Sequence, residues 1–259
     1  MAHELGGKVA LVTGGSRNIG RATALRLGEL GATVAITYQN DEPNAAETIR
    51  LIELAGGRAR AYRSALDEHD APAALVEAVQ HDLGSVDVLV NSAAVRPRQP
   101  LGEVTAAAFD AVFALNVRAG YLLAQAVAPG MRARGFGRVI FFGGLSSYIG
   151  QSDRAAVMAS KLAVVGVARS LAYELAPHGI TVNVVVPGRI DTERGAAEHY
   201  GPARDRASQA SRVPVGHLGS PEDVANCCGY LALPTTGFIT GQEFFVTGGA
   251  YPLTKGGVG

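Results

Sequence analysis

Short runs of β-branched residues return along this chain between longer amphipathic runs, and that alternation admits few folds. KVALVTG precedes a helical pattern over 18–30, ATVAITY one over 43–55, RARAY one over 69–83, and VDVLVN a long one over 105–132. GRVIFFGG, a helical pattern over 154–177, ITVNVVVPG and QEFFVTGG complete the series. Strands that are apolar at nearly every position are buried on both faces, which calls for parallel pairing under two layers of helices. The expectation is one α/β domain over 1–259, a doubly wound parallel sheet of about seven strands with helices on both faces.

Composition narrows the partners. Lys plus Arg and Asp plus Glu are both 23, so the formal net charge is zero, and nothing favours a nucleic-acid backbone or an anionic membrane surface. A small-molecule ligand remains, with no nucleic acid and no membrane expected. The two cysteines, Cys227 and Cys228, are adjacent, which suits neither a metal site nor a disulfide framework. No signal-peptide pattern opens the chain and no apolar run reads as transmembrane, so a cytoplasmic protein is expected. Between 189 and 220 the alternation gives way to charged and small residues, a length that suits a substrate lid.

Two stretches carry chemistry. The first strand runs into TGGSRNIGRATAL, a turn opening a helix, where glycines let backbone approach a ligand and free N–H groups favour a phosphate. The second is RAAVMASKLAV, in which Lys161 shares a helical face with Val157, Val164 and Val165. None of these side chains satisfies an ammonium. The alternative is a lysine snorkelling at a helix flank.

At these places, and over nearly its whole length, the chain resembles the classical short-chain dehydrogenase/reductase family. The family's TGxxxGxG turn is matched by Gly14 and Gly20, with Asn18 at the middle glycine, a residue that tolerates positive φ. Its NNAG segment corresponds to Asn91, Ser92, Ala93 and Ala94, its PG segment to VVVPGRIDT, and its ending to ITGQ and GG. The resemblance implies a Rossmann-like fold and a dinucleotide held by Gly14, Ser16, Arg17, Asn18, Ile19 and Gly20 of the turn. Tyr38, Asn91 and Ala93 at strand ends, then Lys161, and finally Pro187, Gly188, Ile190 and Thr192, complete the implied cofactor site. Tyr38 stands where a carboxylate would select NAD, and Arg17 stands where NADP-preferring relatives place a cation, so NADP(H) is expected over NAD(H). The family's adenine-contacting aspartate falls at Ala65.

The resemblance also locates a catalytic set. Lys161 matches the lysine of the family's YxxxK pair and Asn116 its catalytic asparagine, which in the family anchors a water leading from the lysine to solvent. The tyrosine position is Val157, and the serine position thirteen residues earlier is Gly144. Tyr148, in the loop after the fifth strand, is the candidate substitute acid or a pocket wall, with His199 and Tyr200 of the lid behind it. Ser160 lies about 100° around the helix from Lys161 and so is expected to point elsewhere. The set implies an oxidoreductase that reduces an imine, an activated C=C bond or an unusual carbonyl without the Ser–Tyr pair. The alternatives are a redox-silent nucleotide- or metabolite-binding protein, and a cyclase or dehydratase using the same pocket. Arg96 and Arg98 in VRPRQPL are placed to meet an anionic group or to remain solvated. Tyr173 replaces an arginine of relatives that act on carrier-bound substrates. The family further implies a homotetramer or homodimer.

Overall fold

The computed structural model of the chain describes residues 4–193 and 205–252. Seven strands form one parallel sheet in the order β3-β2-β1-β4-β5-β6-β7, where β1 is Val9–Thr13, β2 Thr33–Tyr38, β3 Arg58–Arg63, β4 Val88–Asn91, β5 Gly137–Phe142, β6 Ile180–Pro187 and β7 Glu243–Val246. The central strands β1, β4 and β5 are buried at every position, as parallel pairing under two helical layers requires. At one edge β3 alternates exposed arginines with half-buried residues, and charge on an edge discourages further pairing.

The period-2 geometry of a strand sorts its residues between two cores. Val9 and Leu11 of β1 face one cluster, while Ala10 and Val12 face the other. On the first side pack α3 (Ala71–Leu83), α5 (Ala119–Arg134) and α7 (Ala155–Leu175), through Leu75, Val79, Leu123, Met131, Val164 and Leu171 among others. On the second side pack α1 (Asn18–Glu29), α2 (Glu42–Leu54) and α9 (Pro221–Ala232), through Ala24, Leu27, Ile52, Val224 and Leu231. The remaining described helices are α4 (Ala106–Phe113), the single turn α6 (Ser146–Ile149) and α8 (Arg206–Ala210).

Three features differ from the sequence reading. The helix α9 is absent from the sequence pattern set out above, although Ser220 and Asp223 form a capping box and Pro221 occupies the first turn. The long helix expected over 105–132 is instead α4 and α5 joined by a π-helical segment, Ala114–Arg118. Such a widened turn inserts extra backbone and re-aims its side chains, and here it turns Asn116 inward. Third, two helical stretches, Ala106–Arg134 and Ala155–His178, are long and apolar enough to cross a membrane by length and composition alone, contrary to the expectation that no run would be. They serve as core helices here. Each turns a stripe of buried residues, Leu123, Val127 and Met131 or Val164, Ala168 and Leu175, against the sheet.

Crossing from β1 to β4 reverses the winding direction, which opens a crevice at the carboxyl ends of those strands. Close packing behind that crevice depends on Gly120 of α5: a Cβ there would lie 1.9 Å from Asn91 Nδ2 and 2.9 Å from Phe141 Cε1. Gly120→Ala is therefore expected to destabilise the fold by about 1–3 kcal/mol, since backbone or Asn91 must give way. Gly166→Ala, in the exposed middle of α7 with nothing within 4 Å, should stabilise by about 0.5–1 kcal/mol. Urea unfolding of the two variants beside the parent measures both, and equal stabilities would contradict the packing account.

Candidate active site

The glycine turn is tied to the sheet on both sides. Gly14 N–H donates to Thr37 Oγ1 at 3.0 Å and Gly15 N–H to Thr37 O at 3.1 Å, anchoring it to the end of β2. Thr13 Oγ1 donates to Asn91 Oδ1 and accepts from Ala93 N–H, both at 3.0 Å, joining β1 to the end of β4. Gly14 has φ of +64°, and a Cβ there would meet Ala93 Cα at 3.0 Å; a Cβ on Gly20 would sit 2.1 Å from Gly14 O. Both positions require glycine. Asn18 has φ of +50°, in keeping with its place at the middle glycine of the motif.

The residues present fit a dinucleotide. Arg17 is the N-cap of α1 and makes no side-chain cap bond, and the first turn holds no acidic residue, so the amino end of the helix presents N–H groups and positive potential. The Arg17 side chain is exposed beside that end, and Ser16 is buried. Beneath the turn lies Arg21, which sequence reasoning missed: it donates to Ser16 O at 2.7 Å and to Asn44 Oδ1 at 2.7 Å, while Asn44 Nδ2 holds Asp41. Tyr38 is half-buried at the end of β2, its carbonyl accepting from Ser64 N–H.

Across the crevice, Pro187 and Gly188 close β6. Pro187 O accepts from Leu145 N–H, and Gly188 N–H donates to Val246 O at 2.9 Å. A Cβ on Gly188 would meet Thr247 Cα at 2.8 Å. Ile190 bridges Gly219, and Asp191 takes a 2.8 Å ion pair from Arg206 of α8, so the described ends of the 189–220 segment are fastened together. Thr192 follows, half-buried. Asn18 reaches this segment directly: its Nδ2 donates to Glu193 O at 3.0 Å and its Oδ1 accepts from Glu193 N–H at 2.9 Å. His199 and Tyr200 lie outside the described residues.

Lys161 is 8% exposed, and its Nζ donates to Phe142 O at 3.0 Å. Burial, reinforced by the charge of Arg96, pulls its pKa down to about 7 from the ordinary lysine value. Gly144 faces it: a Cβ on that glycine would touch Lys161 Cγ at 3.7 Å and nothing else within 4 Å, and the backbone there is outside the positive-φ region. One turn before the lysine, Val157 is packed against Val112 and Ala156 in a small apolar cluster.

Asn116 has every side-chain donor and acceptor engaged by protein except one lone pair. Its Oδ1 accepts from Val95 N–H at 2.9 Å, and its Nδ2 donates to Val95 O and Ser160 Oγ, each at 3.0 Å. Ser160 donates in turn to Val157 O at 2.7 Å. Ser160 thereby ties α7 to the π segment. Through Val95, the same asparagine clamps the loop after β4.

Tyr148 is not brought to the lysine by any hydrogen bond. Its hydroxyl donates to Glu243, whose other carboxylate oxygen accepts from Arg169 at 2.8 Å, and its ring packs on Phe245 and Tyr251 with centroids 5.0 and 5.3 Å away. Burial first, then the Glu243 carboxylate, pushes the phenol pKa well above its ordinary value. This is the position of an aromatic wall beside β7.

Comparison with known proteins identifies the family. Residues 14–251 match the family described as enoyl-(acyl carrier protein) reductase. The chain is 34% identical over 247 residues to a 3-oxoacyl-[acyl-carrier-protein] reductase from Vibrio harveyi, covering 95% of this chain and 98% of that one. It superposes at TM-score 0.87 on a dehydrogenase/reductase from Sinorhizobium meliloti 1021, with 39% identity and coverage of 96% and 97%. A blue fluorescent protein from a metagenomic library, solved in complex with NADPH, matches at TM-score 0.87 with 36% identity, covering 96% and 99%. A parallel sheet wound in this order, with likeness of this extent in both sequence and structure, places the chain in the classical short-chain dehydrogenase/reductase family of NAD(P)-dependent oxidoreductases.

Proposed function

We propose that this chain is an NADP(H)-linked reductase of a polarised C=C or C=N bond in a small molecule, working without the Ser–Tyr pair, with Lys161 as the proton donor. The observation that carries the reading is a buried lysine flanked by Val157 and Gly144, two positions that offer no hydroxyl. A general acid is most effective with a pKa near the working pH, and Lys161 lies there. A bound dinucleotide would supply the hydride. Phe142 O orients Lys161 Nζ, the ammonium carries the proton, and solvent restores it after transfer. The Val112, Ala156 and Val157 cluster keeps water from one side of that region, which maintains the low pKa. Bonds of this kind are the better substrates because an unactivated ketone builds a full alkoxide charge during reduction. Two hydroxyl donors would normally stabilise it, and neither position supplies one.

The cofactor preference rests on Arg17, on Tyr38 in place of an acid, and on the NADPH-bound relative. A guanidinium on a phosphate is a charge-assisted hydrogen bond worth about 1.5–3 kcal/mol. Arg17→Ala is expected to weaken NADPH roughly 10- to 100-fold by calorimetry and to leave NADH within about twofold. Equal losses for both would remove the argument for a 2′-phosphate site.

The proton-donor role fixes a pH profile. Lys161 must be protonated to act, so kcat/KM for NADPH oxidation against a panel of cyclic imines and activated alkenes should be constant at low pH. It should fall as pH rises through about 7. Lys161→Arg, which keeps a charge but does not release its proton, should lose at least about 100-fold, within the range general acids contribute. A flat profile, or full activity in that variant, would exclude Lys161 as the donor. NADPH binding with no turnover of any panel member would support the redox-silent reading.

The Ser–Tyr pair is also testable by supplying it. Gly144→Ser meets only ordinary contact with Lys161, while Val157→Tyr must displace part of a packed apolar cluster at a cost of about 1–3 kcal/mol. The double variant is expected to gain reduction of activated ketones with NADPH. A folded, NADPH-binding double variant silent on every ketone would contradict the placement of Val157 and Gly144 beside the reacting centre.

A further inference from the structure

Gly14 and Gly20 of the glycine turn are required by the close approach of neighbouring backbone, but position 18 asks only for a residue that accepts a positive φ. Asn18 carries a side chain there, and both ends of its amide are used. Nδ2 donates to Glu193 O at 3.0 Å and Oδ1 accepts from Glu193 N–H at 2.9 Å, so the amide pairs with the backbone of one residue as an adjacent strand would. The two residues are 175 positions apart in the chain. Their pairing spans the crevice, from the amino end of α1 on one wall to the segment that leaves β6 on the other. A glycine at position 18 has no atoms with which to make it.

The segment that Asn18 holds has a second fastening a little earlier. Asp191 N–H donates to Gly219 O at 2.8 Å, Gly219 N–H donates to Arg189 O at 3.0 Å, and the Asp191 carboxylate is paired with Arg206. Thr192, half-buried, therefore sits between one anchor at Asp191 and another at Glu193, and the second of these ties it to the glycine turn. Ile190 and Thr192 are among the residues that the family resemblance assigns to the cofactor.

We propose that Asn18 is a positioning residue for the dinucleotide: it clasps the stretch 190–192 across the crevice, so that a bound cofactor leaves once the clasp has opened. The proposal rests on the crevice as the dinucleotide site and is independent of which group donates the proton. Both bonds lie at the solvent surface, where a neutral hydrogen bond contributes little net stability, so the clasp slows release and does not prevent it. Glu193 enters the pair through its backbone, which makes the identity of its side chain immaterial to the clasp.

Release of NADPH is timed by stopped flow, from the loss of nicotinamide fluorescence when the complex is chased with excess NADP. Asn18→Gly, which retains the positive-φ backbone, should release NADPH about 3- to 10-fold faster, the effect of losing one or two neutral hydrogen bonds. Glu193→Ala should release it at the parent rate. A second measurement needs no cofactor: with nitrogen-15 glutamate labelling, the Glu193 amide, assigned by its absence in Glu193→Ala, should exchange with deuterium at least about threefold faster in Asn18→Gly than in the parent. Equal release from parent and Asn18→Gly, or release from Glu193→Ala as fast as from Asn18→Gly, would overturn the positioning role. Faster release with unchanged exchange at Glu193 would overturn it as well, since Asn18 would then act on the cofactor directly. A parent that binds neither NADPH nor NADH would defeat the dinucleotide reading together with this role, whereas tight binding with equal release rates defeats the role alone.

Discussion

A single ammonium held out of water organises this site. Lys161 finds one carbonyl, Phe142 O, and an apolar surround in place of its hydration shell, and burying a charge this way is unfavourable unless the group moves toward neutrality. Its depressed pKa has a definite sign for folding. Between about pH 7 and the ordinary lysine range the unfolded chain binds more protons than the folded one, so stability increases with pH across that window. Below about pH 7 the penalty is present in full.

The rest of the structure holds this lysine against the dinucleotide crevice. Thr13, Asn91 and Ala93 join the two strands at the switch of winding direction, so the glycine turn and the loop after β4 are fixed relative to each other. Asn116 extends that frame: the π segment turns it inward, where it binds the same loop through Val95 and helix α7 through Ser160. The resemblance to family members assigns Asn116 to a water leading from the lysine. In this chain its side-chain hydrogen bonds to Val95 and Ser160 also tie loop and helix together.

Much of this is legible in the sequence, for physical reasons that differ between elements. Strands apolar at nearly every position, such as VALVT and VLVN, call for central, parallel pairing, so the sheet is legible in the pattern. Gly14, Gly20 and Asn18 announce their backbone geometry, since positive φ and sub-van der Waals approach restrict residue choice. Helix α9 escapes a reading of periodicity despite its capping box, because it comes after a long irregular stretch and its apolar face is made partly of small residues and Cys228. The π segment leaves no trace in periodicity. Its cause is tertiary, as is the choice of Glu243 as partner for Tyr148, two residues 95 positions apart in the chain. Sequence places Tyr148 in the right loop but does not aim its hydroxyl.

The central claim is that Lys161 titrates near neutrality in the folded protein and can therefore exchange a proton directly. Carbon-13 labelling of the lysine side chains, with Lys161 assigned by its absence in Lys161→Arg, allows its Cε resonance to be followed from about pH 5 to 11, a range that spans the depressed and the ordinary lysine values. The account predicts a midpoint of about 7, well below the ordinary lysine value. A midpoint for Lys161 in the ordinary lysine range would contradict it, since the ammonium would then hold its proton too firmly to act as the acid.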